Sequence, residues 1–183
     1  MQLIELIKKI SFALALHNIP YMIIGGQAAL IYREPRFTAD IDITLGINVD
    51  SLDIMIQIIN ELDLKIIVKK TEEFVEETLV LPTIDEITGF RVEFIFSFSD
   101  FEKEAILRAN KVKIDDCYVN YCSLEDLIVY KIIASRAKDF EDIENMLKKN
   151  KIFNKDLIIT NLMNFDKSLS TNYVDIFNKL TKK

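Results

Sequence analysis

The chain has 183 residues, half of them apolar, and a net charge of −6 from 23 lysines and arginines against 29 aspartates and glutamates. That length predicts one domain with at most a small appendage, and the apolar share is ample for a packed core, which excludes disorder over most of the chain. The acidic balance excludes a surface coated in positive charge for gripping long nucleic acid, so extended DNA binding is not expected, although a nucleic acid held briefly for chemistry is compatible with it.

Leu3 to His17 places Leu3, Ile4, Ile7, Ile10, Phe12, Ala13 and Leu14 on a helical face. Glu5, the Lys8-Lys9 pair and the lack of a small-residue cleavage site argue against a secretory segment. No apolar run reaches membrane-spanning length, so a cytoplasmic protein with no membrane partner is expected. Pro20 ends the helix, with His17 as a C-terminal cap. Tyr21 to Ile24 reads as a strand broken by Gly25-Gly26, and Gln27 to Tyr32 as a helix. Arg33 to Arg36 is a loop, and Thr38 to Leu45 alternates polar and apolar residues as a strand with one face in the core.

Beyond it, Leu52 to Leu62 predicts an amphipathic helix and Leu64 to Val68 a strand, while Thr71 to Thr78 is ambiguous. Leu79 to Ile84 and Phe90 to Phe98 read as neighbouring strands around a turn at Asp85 to Gly89. Ser99 to Ala109 is helical, and short strands follow near Val112 to Ile114 and Tyr118 to Tyr121. From Ser123 the pattern is helical throughout: about Leu124 to Ser135, Asp139 to Lys149, Asn154 to Asn164 and Asn172 to Leu180. The layout is a mixed α/β core over residues 1–122 and a helical segment over 123–183. Cys117 and Cys122 form no CxxC pair, and with His17 as the lone histidine a zinc site lacks ligands; two free thiols are expected.

In Thr38-Ala39-Asp40-Ile41-Asp42, residues two apart on a strand share a face, so Thr38 and both carboxylates leave one side while Ile41 and Ile43 enter the core. Neighbouring anions repel unless a cation lies between them, and such oxygen donors suit Mg²⁺ or Mn²⁺. From the triplet alone, the wet outer face of a strand is the favoured reading. The triplet's neighbours add weight to a metal site. Gly25-Gly26 opens a helix, where backbone N–H groups can hold phosphate, or else it forms a tight turn. In Arg91-Val92-Glu93-Phe94-Ile95-Phe96, a core face of Val92, Phe94, Phe96 and Phe98 turns Glu93 to the opposite side as a third ligand. Two metals roughly 3.5–4 Å apart, bridged by shared carboxylates, would activate an attacking hydroxyl and steady a leaving pyrophosphate.

With these residues in place, the chain resembles the DNA polymerase β-type nucleotidyltransferase superfamily. The run GGQAALIYREPRFTADIDITL is similar to the AbiEii-type branch, whose members often show GG followed by R-x-T-x-D-I-D. The resemblance implies a nucleotidyltransferase core, with Asp40, Asp42 and Glu93 as catalytic metal ligands. It makes Gly25, Gly26, Arg36 and Thr38 candidates for holding NTP phosphates. Many relatives carry serine at the second position of the glycine pair; Gly26 lacks that hydroxyl, which shifts contacts toward backbone amides.

Ser123 is an N-cap followed by Glu125 and Asp126, a capping-box-like start. Lys131 sits in a stripe of Leu124, Leu127, Ile128 and Ala134, either snorkelling or reaching NTP phosphates. Asp139 either caps the next helix or pairs with Lys131. The string SLEDLIVYKIIASRAKDFEDIENML is similar to the end of the catalytic unit in AbiEii-type relatives, which adds Lys131, Lys138 and Asp139 to the substrate candidates. The expected activity is transfer of NMP from an NTP to a tRNA or protein hydroxyl. By resemblance the protein is the toxin of a toxin–antitoxin pair, with an antitoxin as partner. The alternatives are a small-molecule, antibiotic-type nucleotidyltransferase and a silent nucleotide-binding module.

Overall fold

A computed structural model describes residues 2–35, 38–97 and 99–181. Helix α1 (Gln2–Leu16) leads into strand β1 (Tyr21–Ile24), helix α2 (Gly25–Tyr32) and strand β2 (Asp40–Leu45). A 3-10 turn precedes helix α3 (Leu52–Glu61), then come β3 (Lys65–Ile66), α4 (Thr71–Thr78), β4 (Val80–Ile84), β5 (Arg91–Phe96), α5 (Asp100–Leu107), β6 (Asn110–Ile114) and β7 (Cys117–Tyr121). Four helices finish the chain: α6 (Leu124–Ala134), α7 (Ala137–Lys149), α8 (Lys155–Leu169) and α9 (Tyr173–Thr181).

The chain divides into two compact units. The first holds residues 1–27 and 37–122 and contains a seven-stranded sheet in the order β3-β4-β5-β2-β1-β7-β6. Strand β2 runs parallel to β5 and antiparallel to β1. One face carries Ile41, Ile43 and Leu45 beside Val92, Phe94 and Phe96, all essentially inaccessible to solvent. Burying each such side chain stabilises the fold by roughly 1.5–3 kcal/mol. Ile10 and Leu14 of α1 and Met55, Ile58 and Ile59 of α3 are buried as well, as the 3.6-residue periodicity requires. Phe98, expected on the core face, lies outside the described residues.

Five local expectations change. The glycine pair is the first turn of α2, so the helix starts two residues earlier than the apolar pattern suggests. Strand β2 begins at Asp40, because the ladder with β5 starts at Asp40 opposite Arg91, so Thr38 precedes the strand. Strand β3 shrinks to two residues: Ile67 N–H donates to Pro82 O at 3.1 Å, and Pro82 has no N–H to return a bond. Residues 71–78 are helical, with Leu79 at φ 60° closing the helix. His17 places Nε2 2.8 Å from Glu61 Oε2, so its ring partners α3 rather than capping α1. The hydrogen bonds from His17 and then Gln57 hold the Glu61 carboxyl below its ordinary value. Both cysteines are free thiols.

The second unit comprises residues 28–36 and 123–183, so most of α2 joins the helical segment that begins at Ser123. Ser123 caps α6: its Oγ accepts from Asp126 N–H at 3.1 Å and donates to the Asp126 carboxylate at 2.7 Å. Asn150 Nδ2 closes the end of α7, donating to Met146 O at 2.8 Å and to Tyr32 O at 2.7 Å. Asp166, near the end of α8, organises the start of α9 by accepting from Tyr173 N–H at 2.6 Å and Val174 N–H at 3.1 Å. Burial opposes ionisation of Asp166, yet those amides and the Thr171 hydroxyl outweigh it and hold its carboxyl below the ordinary value. Among the described residues, no helix is long and apolar enough to cross a membrane.

Candidate active site

The parallel register sets Asp42 opposite Glu93 and Asp40 opposite Arg91. Directly paired residues project from one face, so Asp40, Asp42 and Glu93 share the face opposite the Ile41/Phe94 core layer. Asp42 and Glu93 are half-buried and Asp40 is exposed at the strand's start. Two residues further along that face, the Thr44 hydroxyl is buried with no hydrogen-bond partner among the described residues. The face is therefore polar and anionic at its open end.

The start of α2 lies against the same strand. Gly25 has φ +64°, and a Cβ placed on it would coincide with the Asp42 carboxylate. A Cβ on Gly26 would stand 2.6 Å from Thr38 Oγ1. Both glycines are thus demanded by side chains crowding over the helix start. Gly25→Ala is expected to destabilise the protein by about 1–2 kcal/mol from the backbone alone and further by displacing Asp42. Gly89 is the control, since it has φ +76° with nothing within 4 Å of an added Cβ. A larger fall in melting temperature for Gly25→Ala than for Gly89→Ala isolates the crowding; equal falls would remove it.

Oxygen donors of this kind suit a hard divalent cation. Among the described residues, no three His, Cys, Asp or Glu side chains already converge as a ready ion cage. Asp40 has the freedom of an exposed side chain to turn toward the pair formed by Asp42 and Glu93.

In the second unit, Lys131 is 5% exposed and fully engaged. Its Nζ donates to Asp139 Oδ1 at 3.1 Å and to Asp142 Oδ2 at 2.7 Å. Arg33 pairs with Asp142, and Arg136 Nε donates to Asp139 Oδ2 at 2.6 Å. A buried ammonium requires such partners. Burial of Asp139 opposes its ionisation, but the hydrogen bonds from Arg136 and Lys131 prevail and hold its carboxyl below the ordinary value. Asp139 therefore pairs with Lys131, and the helix starts two residues before it, with Arg136 at the cap position. Lys138 is exposed, and Arg36 lies outside the described residues. Arg33 and Asp142 were not legible as members of this cluster; the available signal was Asp142 three residues after Asp139, on the same helical face.

A seven-stranded mixed sheet with paired carboxylates beside a glycine-opened helix is the arrangement expected of a nucleotidyltransferase. Over residues 1–175 the sequence matches the family described as nucleotidyltransferase of unknown function (DUF6036), and the chain belongs to that family of enzymes. The solution structure of the antibiotic-resistance factor ANT(2'')-Ia is similar, with TM-score 0.63 and 18% identity over 92% of this chain and 94% of that one. An antigenic nucleotidyltransferase-like protein from Paracoccidioides brasiliensis gives 0.54 and 19% over 98% and 93%. The lincosamide antibiotic adenylyltransferase LnuA, lincomycin-bound, gives 0.53 and 15% over 75% and 91%. At these identities the likeness is one of fold. No curated protein matches the sequence.

Proposed function

We propose that the protein transfers a nucleoside monophosphate from an NTP to an acceptor hydroxyl, with Asp40, Asp42 and Glu93 holding Mg²⁺ or Mn²⁺. The observation that supports this most is the register of β2 against β5, which makes Asp42 and Glu93 neighbours with Asp40 on the same face. Bound there, a divalent cation supplies charge neutralisation for the triphosphate and lowers the pKa of the acceptor hydroxyl. The backbone at Gly25 and Gly26 and the Thr38 hydroxyl contact phosphate oxygens. By the resemblance alone, Lys131, Asp139, Lys138 and Arg36 are further candidates for substrate contact or active-site support. The acceptor oxygen attacks the α-phosphorus in line, its proton passes to the carboxylate set, and the bond to pyrophosphate breaks.

The GG and R-x-T-x-D-I-D pattern supports an AbiEii-like reading. On that reading the acceptor is a tRNA end or a protein hydroxyl, and the protein is the toxin of a pair whose antitoxin restrains it in the cytoplasm. A second reading is transfer to a small-molecule hydroxyl, drawn from a neighbour in fold, the structure of ANT(2'')-Ia in complex with adenylyl-2''-tobramycin, with TM-score 0.57 and 20% identity over 81% of this chain and 89% of that one. Incubation with each α-³²P NTP and Mg²⁺ tests both. Label in total tRNA or total protein supports the first reading. Label only on an added aminoglycoside or lincosamide supports the second, and label in no pool contradicts both.

A further inference from the structure

The side chain of Gln27 is absent from the chemistry above, yet it is 5% exposed and lies beside the glycine pair. Its Nε2 donates to two carbonyls of the segment entering β2, Thr38 O at 3.1 Å and Asp40 O at 3.4 Å. A buried amide that spends its donors on successive same-side carbonyls fixes the path of that segment. Thr38 lies outside the sheet ladder, which starts at Asp40. The position of its hydroxyl therefore depends on this bond and on the space left by Gly26, where an added Cβ would stand 2.6 Å from Thr38 Oγ1.

We infer that Gln27 is a positioning residue of the nucleotidyl-transfer site, acting through the backbone carbonyls of Thr38 and Asp40 to hold the Thr38 hydroxyl beside Gly26 and to set where Asp40 enters β2. This rests on the proposed function. Gln27 touches neither substrate nor metal. Glutamine suits the task because its amide reaches one methylene further than asparagine and carries two N–H groups that glutamate lacks. The residue types on either side match this arrangement, since only glycine at position 26 leaves the Thr38 hydroxyl its place.

The test is equilibrium binding of a non-hydrolysable NTP analogue with Mn²⁺, by calorimetry, alongside thermal melts. Gln27→Met keeps the stem and removes the donor; Gln27→Asn keeps the donor and shortens its reach. Each variant, measured while folded, is expected to bind the analogue about tenfold more weakly than the native protein. Thr38→Val, which removes the positioned hydroxyl itself, is expected to show a loss of the same order. Native affinity in folded Gln27→Met and Gln27→Asn, even with lowered melting temperatures, would overturn the inference and leave Gln27 a packing residue. If Gln27→Met does not fold, the asparagine variant decides alone. A native protein that binds no NTP analogue would overturn the proposed function, and this inference with it, a result distinct from native binding that the variants retain.

Discussion

Asp42→Asn is expected to lower the rate of nucleotidyl transfer by on the order of a thousandfold, about 4 kcal/mol of transition-state stabilisation. Asparagine has nearly the shape of aspartate but carries no charge and offers only one acceptor oxygen. Asp42 is the central member of its set, opposite Glu93 across the β2–β5 ladder and two residues from Asp40. Its loss leaves no geometry in which the other two carboxylates flank one cation from both sides. The melting temperature should stay within a few degrees of native, because removing one of three neighbouring anions relieves repulsion. Single-turnover kinetics with saturating NTP and Mg²⁺ checks the rate. A loss below about tenfold would place the reacting phosphate elsewhere.

The second large effect is on stability. Asp142→Asn is expected to destabilise the protein by about 3–5 kcal/mol, since it takes the shared carboxylate from buried Arg33 and leaves buried Lys131 with Asp139 as its remaining carboxylate in this cluster. Lys138→Met, at an exposed position of the same helix, should change stability by less than about 0.5 kcal/mol. Denaturant melts measure both. The cluster also sets an acid limit. A carboxyl held below its ordinary value, as in Asp139, contributes stability that is complete above the unfolded value of 3.8 and is lost as pH falls from there through the lower folded value. Native-protein stability should therefore fall below about pH 4, and Asp139→Asn should flatten that fall. An unchanged acid profile in the variant would separate Asp139 from acid unfolding.

Much of this arrangement is readable from residue order. Alternation in Thr38 to Leu45 and Arg91 to Phe96 assigns Asp40, Asp42 and Glu93 to the faces opposite Ile41 and Phe94, because a strand's period is two. Alternation cannot reveal which strands are neighbours. That β2 and β5 pair, with Asp42 against Glu93, depends on a crossover through α3, β3, α4 and β4. Lys131 drew notice as a cation in an apolar stripe, but its second partner and Arg33 come from segments about ten and a hundred residues away, beyond any local period. Gln27 gave no signal at all. A polar residue early in a short helix is unremarkable until its amide meets the carbonyls of Thr38 and Asp40. The helix over residues 71–78 was ambiguous because TEEFVEET carries too few apolar residues to declare a period.

On the proposed function, three carboxylates on two parallel strands collect the divalent ions of nucleotidyl transfer. Mn²⁺ titration followed by electron paramagnetic resonance, with a non-hydrolysable NTP analogue present, tests it most directly. The native protein should bind Mn²⁺ saturably. Asp40→Asn, Asp42→Asn and Glu93→Gln should each weaken that binding by roughly 10–100-fold while remaining folded. Equal Mn²⁺ affinity in the native protein and the triple variant would contradict the claim and move the metal site off this face of the sheet.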